Sequence, residues 1–414
     1  MHKGRGILIF FLVCLAFLSG YIISTGFKLP FPRESEQQQN DISEKPDQEE
    51  VDPIKEQLDS LTLKEKIGQM VIVGIEGEQI SDSERQMIKE NHVGGIILFK
   101  RNIQNANQML SLINELKKTN SPNKIPLFLS IDEEGGIVTR MPDEINKLPA
   151  SAKVGEKNDS DLAFQIGEVL GQELNSFGLN MNFAPVLDIN SNPNNPVIGE
   201  RAFGTTPEIV SKLGIQTIKG IQSQNVISVV KHFPGHGDTS VDSHVGLPSV
   251  NHDLDRLSNF ELKPFASAIQ NGADAVMIAH ILLPKIDANH PASLSQTVIT
   301  DILRNDLQFD GVVLTDDMTM GAIVNNYDLG EAAVESINAG SDIVLVCHSL
   351  ENEKQVIDAL ASAVKAGTIP KDRVNESVYR ILKLKQKCRL TDQPVDSVDI
   401  DEINSAVVRL LEKL

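Results

Sequence analysis

The chain has 414 residues, enough for two or three average domains or for one large barrel with appendages. Its formal net charge of -19 at pH 7 excludes the basic footprint that nucleic acid or anionic lipid would require. With no Trp and 3 Tyr it lacks stacking platforms for long polysaccharides, so small glycans suit it better, and its 3 cysteines, Cys14, Cys347 and Cys388, form no disulfide framework.

His2, Lys3 and Arg5 precede an uncharged apolar stretch at residues 7–24. A basic start before an apolar core is the pattern of an export signal. The stretch is about 18 residues long, just enough to span a bilayer. No clean small-x-small cleavage site follows it, and Cys14 lacks the small residue expected before a lipidated cysteine. Residues 1–24 are therefore expected to be an uncleaved anchor with the rest of the chain on the outer face, cleavage and secretion being the alternative. Residues 25–57 come next, and between Glu34 and Asp59 the chain has 10 acidic and 2 basic residues. Such a composition cannot bury enough apolar surface to order itself and predicts a disordered acidic tether.

From Leu61 onward apolar runs alternate with helical patterns. Strands are expected at 70–73, 94–99, 126–131, 181–187, 227–230, 275–278, 311–314 and 343–346, with helices between them at 63–69, 106–118, 162–177 and 329–339. This count predicts an α/β fold, a (β/α)8 TIM-type barrel forming a single catalytic domain over residues 58–390. No dinucleotide-binding glycine fingerprint follows the first strand, which disfavours a doubly wound sheet. Helical patterns at 351–366 and 371–387 close the barrel, and 391–414 remain as a tail with one short helix.

Barrel enzymes build their sites at the C-terminal ends of strands. Polar residues gather at those ends here: Asp132, Glu133 and Glu134; Asp188; Lys231 and His232; His280; Asp316 and Asp317; His348. The densest stretch is KHFPGHGDTSVDSH at 231–244, with three histidines and two aspartates. Asp242 and His244 are spaced for direct contact, and a carboxylate beside an imidazole suits a proton-transferring histidine. Three readings of this stretch stay open. It is a glycosidase loop, a metal site of His232, His236, Asp238 and His244, or a His-rich surface loop.

Several long motifs decide among them. LKEKIGQM at 63–70, IDEEGGIVTR at 131–140, NFAPVLD at 182–188, GERAFG at 199–204, the stretch 231–244 and LTDDM at 314–318 make the chain resemble glycoside hydrolase family 3, in its bacterial β-N-acetylglucosaminidase branch. The resemblance implies a retaining, exo-acting hydrolase of peptidoglycan fragments that needs no metal or cofactor. It implies Asp316 as nucleophile, with Asp317 as its rival, and His244 as acid/base with Asp242 as its partner. It also implies that Asp132, Arg140, Arg201, Lys231 and His232 hold the sugar hydroxyls. Arg140 or Arg201 is alternatively a structural ion-pair partner. Glu133 and Glu134 are expected to be supports or solvated, Asp188 and His280 to back the site, and His348 has no assigned role. The broad-specificity β-glucosidases of the family carry an aromatic after the nucleophile and a second domain; Met318 and the short tail favour the N-acetylglucosaminidase branch. The other readings kept are a phosphorylase or a β-glucosidase on the same barrel, a silent surface glycan-binding protein, and a metal-dependent hydrolase.

Overall fold

The structure, a computed structural model, describes residues 52–414. The expected anchor and most of the expected tether lie outside those residues, and among the described residues no helix is long and apolar enough to cross a membrane.

Eight parallel strands close into a barrel. They are β1 (Val71–Val73), β2 (Gly95–Leu98), β3 (Phe128–Ile131), β4 (Met181–Asn182), β5 (Ile227–Phe233) and β6 (Ala275–Ile278), then β9 (Val312–Asp317) and β10 (Ile343–Val346). Between β6 and β9 the chain makes a small antiparallel excursion, β7 (Leu282–Leu283) and β8 (Asp287–Pro291). The barrel order is β1-β10-β9-β6-β5-β4-β3-β2, and helices cover the outside. Nearly every barrel-strand residue is buried, as expected of a parallel sheet with both faces covered.

Three strands differ from their sequence expectation. β4 ends at Asn182, with Phe183 N–H still donating to Ile131 O at 2.9 Å before Pro185, which has no N–H to give, interrupts the ladder. Pairing resumes beyond it, where Val186 bridges Lys231 and Leu187 N–H donates to Lys231 O at 2.6 Å. β5 and β9 run longer than expected, through Phe233 and Asp317, because the ladder continues in the pairs Phe233–Ile278 and Leu345–Asp317. Lys231, His232 and Asp316 thus ride on strands and inherit the rigidity of the barrel wall.

The expectation that the tether runs to residue 57 is corrected by a helix at Pro53–Asp59. Asp52 caps it, accepting from the N–H groups of Ile54 and Lys55, Pro53 supplies a preset first turn, and Leu58 is buried. Tyr379 Oη donates to Asp52 Oδ2 at 2.9 Å, which ties this helix to the helix Lys371–Lys387.

The helix Lys371–Lys387 crosses the N-terminal ends of the strands. At one end Arg373 Nη2 donates to Ser341 O at 2.8 Å, just ahead of β10. At the other, Lys385 Nζ donates to Gln69 Oε1, Gly94 O and Pro126 O at 2.7–2.8 Å. Burial holds the Lys385 ammonium down to about 7. The tail then follows the outer helix Ala106–Asn120, through Asn120 to Asp392 at 2.6 Å and Val395 N–H to Asn114 at 2.9 Å. It ends in the helix Ile400–Leu411, which buries Ile403, Val407 and Leu410. With the N-terminal face closed in this way, the C-terminal ends are left for the site.

Candidate active site

At the C-terminal ends of the strands lies a small pocket with a cavity volume of about 210 Å³. Of the residues singled out in the sequence, Asp132, Arg140, Arg201, Lys231, His232, His244 and Asp316 line it, and Asp242 stands behind His244. Phe99, Met277, Met320 and Leu345 add apolar wall.

One wall is an ion-pair network. Lys231 Nζ, fully buried at the end of β5, lies 2.5 Å from Asp132 and 2.7 Å from Glu134. Arg201 meets Glu134 through a two-pronged bond, Nε to Oε2 and Nη2 to Oε1, both at 2.8 Å. Period-two alternation puts Asp132 and Glu134 on the same side of the chain, so one lysine serves both. Burial acts to raise the Glu134 carboxyl, but Lys231 and Arg201 outweigh it and hold it well below its ordinary range. The same carboxylates keep the Lys231 ammonium above its usual value against the opposing effect of burial. Glu134 is thus a support, not a solvated residue. Arg201 also gives Nη1 to Val197 O at 3.1 Å, so most of its donors are spent inside the protein even though it faces the pocket.

His232 is oriented by Asp188, whose Oδ2 is 2.6 Å from Nδ1. The other oxygen of Asp188 accepts from His236 N–H, also at 2.6 Å. One buried carboxylate therefore serves both histidines, a job the sequence left unspecified. Glu133 faces away from the pocket. Its Oε2 accepts from the N–H groups of Arg140 (2.7 Å) and Met141 (3.3 Å), which folds the 135–140 loop back toward the barrel mouth. Burial, beside buried Glu173, raises the Glu133 carboxyl to about 7.

The two neighbouring aspartates on β9 separate clearly. Asp317 is buried and committed: Oδ1 accepts from Thr319 N–H at 2.9 Å and Cys347 N–H at 3.0 Å, and both oxygens lie within 2.8 Å of Thr319 Oγ1. Asp316 is partly open to the pocket and, among the described residues, accepts only from Asp317 N–H, at 2.8 Å. Burial acts to raise its carboxyl, yet the His232 and His280 rings, Asp317 N–H and Lys231 hold it below the ordinary range. A carboxylate kept ionised, with lone pairs free toward a cavity, is equipped to attack or to stabilise a cation. His280 backs this strand through Ser293 Oγ at 2.7 Å and Asp317 O at 3.0 Å.

His244 is held differently. Its ring is 67% exposed, and Nδ1 lies 2.8 Å from Asp242 Oδ1, which also accepts His244 N–H at 2.9 Å. This bond leaves Nε2 turned outward for proton exchange. His348, unassigned from the sequence, stacks on Phe99 at 5.3 Å and contributes to the pocket rim. The four residues of the metal reading do not converge. His232 goes to Asp188, His236 to Thr239 and Ser243, Asp238 to Ser191 and His252, and His244 to Asp242. Among the described residues no group of three or more metal-type side chains is placed to hold an ion.

Asp316, ionised and open to the pocket, and His244, paired with Asp242, thus meet at the mouth of a (β/α)8 barrel. The chain belongs to glycosyl hydrolase family 3, whose N terminal domain matches residues 62–384. It is 38% identical over 330 residues to beta-hexosaminidase A of Pseudoalteromonas piscicida, covering 73% of this chain and 54% of that protein, so it spans about half the length of that relative. It is also 38% identical over 298 residues to a beta-hexosaminidase of Neisseria meningitidis serogroup C, covering 70% of this chain and 80% of that one. Among solved structures, a family 3 beta-N-acetylglucosaminidase from Paenibacillus sp. superposes with a TM-score of 0.81 at 45% identity, covering 86% of this chain and 69% of that one. NagZ from Neisseria gonorrhoeae superposes with a TM-score of 0.69 at 32% identity, covering 82% and 97%.

Proposed function

We propose that the protein is an exo-acting, retaining β-N-acetylglucosaminidase that removes terminal N-acetylglucosamine from small peptidoglycan fragments. The observation that carries this reading is the contrast on β9, where Asp317 is spent on loop N–H groups while Asp316 keeps its lone pairs toward the pocket that also receives His244. In the proposed cycle Asp316 attacks the anomeric carbon while His244 Nε2 protonates the leaving oxygen. His244 then takes a proton from water as that water displaces the sugar from Asp316, and Asp242 stabilises the imidazolium between the two steps. Asp132, Lys231 and His232 hold the hydroxyls directly, Arg140 joins them from its loop, and Arg201 acts chiefly by fixing Glu134 and Lys231. The names of the relatives support the N-acetyl sugar, and the small pocket and scarcity of aromatics support short glycans. The apolar residues 7–24 support a placement on the outer face of the cell membrane.

The test uses the full chain with 4-nitrophenyl N-acetyl-β-glucosaminide and the matching glucoside, each with EDTA and with phosphate. Release from the N-acetyl sugar alone, insensitive to EDTA and with β-configured product first formed, is the expected result. An α product or loss with EDTA rejects the mechanism. Acceleration by phosphate with a sugar phosphate as product moves the assignment to a phosphorylase, which a histidine acid/base would allow because it does not repel the incoming anion as a carboxylate would.

A further inference from the structure

The acid/base loop carries its two functional side chains in the open, yet its backbone is tied from both sides. On the β5 side the tie is His236, buried at the pocket wall, with Nδ1 2.7 Å from Thr239 Oγ1 and Nε2 3.2 Å from Ser243 Oγ. Burial and the neighbouring His232 ring hold the His236 imidazole down to about 4, so it is neutral. Its tautomer follows from the bonds. The Thr239 hydroxyl donates to His236 O at 3.0 Å, so its oxygen accepts Nδ1–H. Nε2 then carries the lone pair that accepts the Ser243 hydroxyl proton.

On the β9 side, the segment that follows Asp316 turns into the short helix Gly321–Val324. Gly321 N–H donates to His244 O at 3.2 Å and Ala322 N–H donates to Ser243 O at 3.0 Å. The approach is close enough to need glycine, because a Cβ at position 321 would lie 2.7 Å from His244 O and 2.9 Å from Val245 O. Both obstacles are backbone, which a side-chain rotation cannot relieve.

We propose that Gly321 and His236 are positioning residues that clamp the acid/base loop between β5 and β9, so that His244 is set in place by the same segment that carries Asp316. The clamp rests on the reading of His244 as acid/base. It accounts for a histidine that is solvent-exposed while its chain is fixed: the ring is free to exchange protons and the backbone is not free to wander. Displacement of a catalytic group by about an ångström is enough to cost up to ~100-fold in rate.

The test compares Gly321→Ala, Ser243→Ala and His244→Ala in the full chain, with 4-nitrophenyl N-acetyl-β-glucosaminide, with and without sodium azide. An activated aryl leaving group departs without a proton, so the defect falls on release of the sugar from Asp316, where water must lose one. Gly321→Ala is expected to lower kcat about 10- to 100-fold. KM falls with it, leaving kcat/KM within about threefold because the covalent sugar accumulates. Ser243→Ala shows the same pattern at about 3- to 10-fold, and it keeps the test alive should Gly321→Ala fail to fold. Azide restores kcat in all three, because it forms its C–N bond to the anomeric carbon as the C–O bond to Asp316 breaks and has no proton to lose. An unchanged kcat in Gly321→Ala and Ser243→Ala overturns the clamp. So does a loss that azide fails to repair while it repairs His244→Ala. If azide fails on His244→Ala as well, the acid/base assignment falls and takes the clamp with it.

Discussion

The two sides of the pocket are built on opposite plans. The wall formed by β3 and β5 is closed: Lys231 is buried between two carboxylates, Glu134 is buried against Arg201, and Asp188 is shared between two histidines. The loop bearing Asp242 and His244 is open, with the ring exposed and its order imposed from the backbone. On the proposed mechanism the contrast follows from what each side handles. Hydroxyl recognition rewards groups whose geometry is fixed before the sugar arrives, since ordering them on binding would cost affinity. Proton transfer to a leaving group and from water requires contact with solvent at one stage of the cycle, and a buried ring would be cut off from it.

Each side can be broken selectively, and the size of the damage separates the two plans. The largest effect is expected for Asp316→Asn, which removes the proposed nucleophile. kcat for the N-acetyl glycoside falls by about 10⁴-fold or more while the melting temperature is kept, as steady-state rates and calorimetry would show. Next comes Lys231→Met on the closed wall. Leaving Asp132 without its cation and Glu134 with Arg201 alone costs about 3–5 kcal/mol of folding stability, measured by urea titration. His244→Ala on the open side inverts that result: kcat drops roughly 10²–10⁴-fold, yet stability stays within about 0.5 kcal/mol. Equal stability losses in Lys231→Met and His244→Ala would erase the comparison.

Acid sharpens it further. The Glu134 carboxyl lies well below its ordinary value of 4.5 in the fold, so its stabilising contribution is present above pH 4.5 and is lost as pH falls below it. Wild-type melting temperature should decline on that limb, and Glu134→Gln, less stable at neutral pH, should decline less. The smallest effect lies just behind the same wall. Glu133 is raised from 4.5 to about 7, so the fold binds a proton that the unfolded chain does not, and stability falls as pH rises through that interval. Glu133→Gln is expected to raise the melting temperature by about 2 °C at pH 8 and to leave it unchanged near pH 4.

The barrel was legible because a parallel sheet covered on both faces writes itself as uninterrupted apolar runs, and all eight runs became strands. The polar residues at their ends were legible for the same reason, as breaks in those runs. Pairing across the mouth was not. Three acids in a row at 132–134 read alike in sequence, but one faces the pocket, one turns behind it and one is locked under Arg201. Period-two alternation, applied to Asp132 and Glu134, would have paired both with one cation. For Asp316 and Asp317 alternation required that only one face the pocket, but the choice depends on Thr319 and on Cys347 N–H, the latter from a different strand end. The helix Pro53–Asp59 has a standard start signal in Asp52 and Pro53, but the acidity of the surrounding stretch masks it in the sequence.

The helix Pro53–Asp59 sits on the helix that closes the N-terminal face, so the described chain is entered from the side away from the pocket. For anyone immobilising this protein the geometry is convenient. A bead, a resin or a carrier protein joined ahead of Asp52 takes hold of the base of the barrel and leaves its mouth unobstructed.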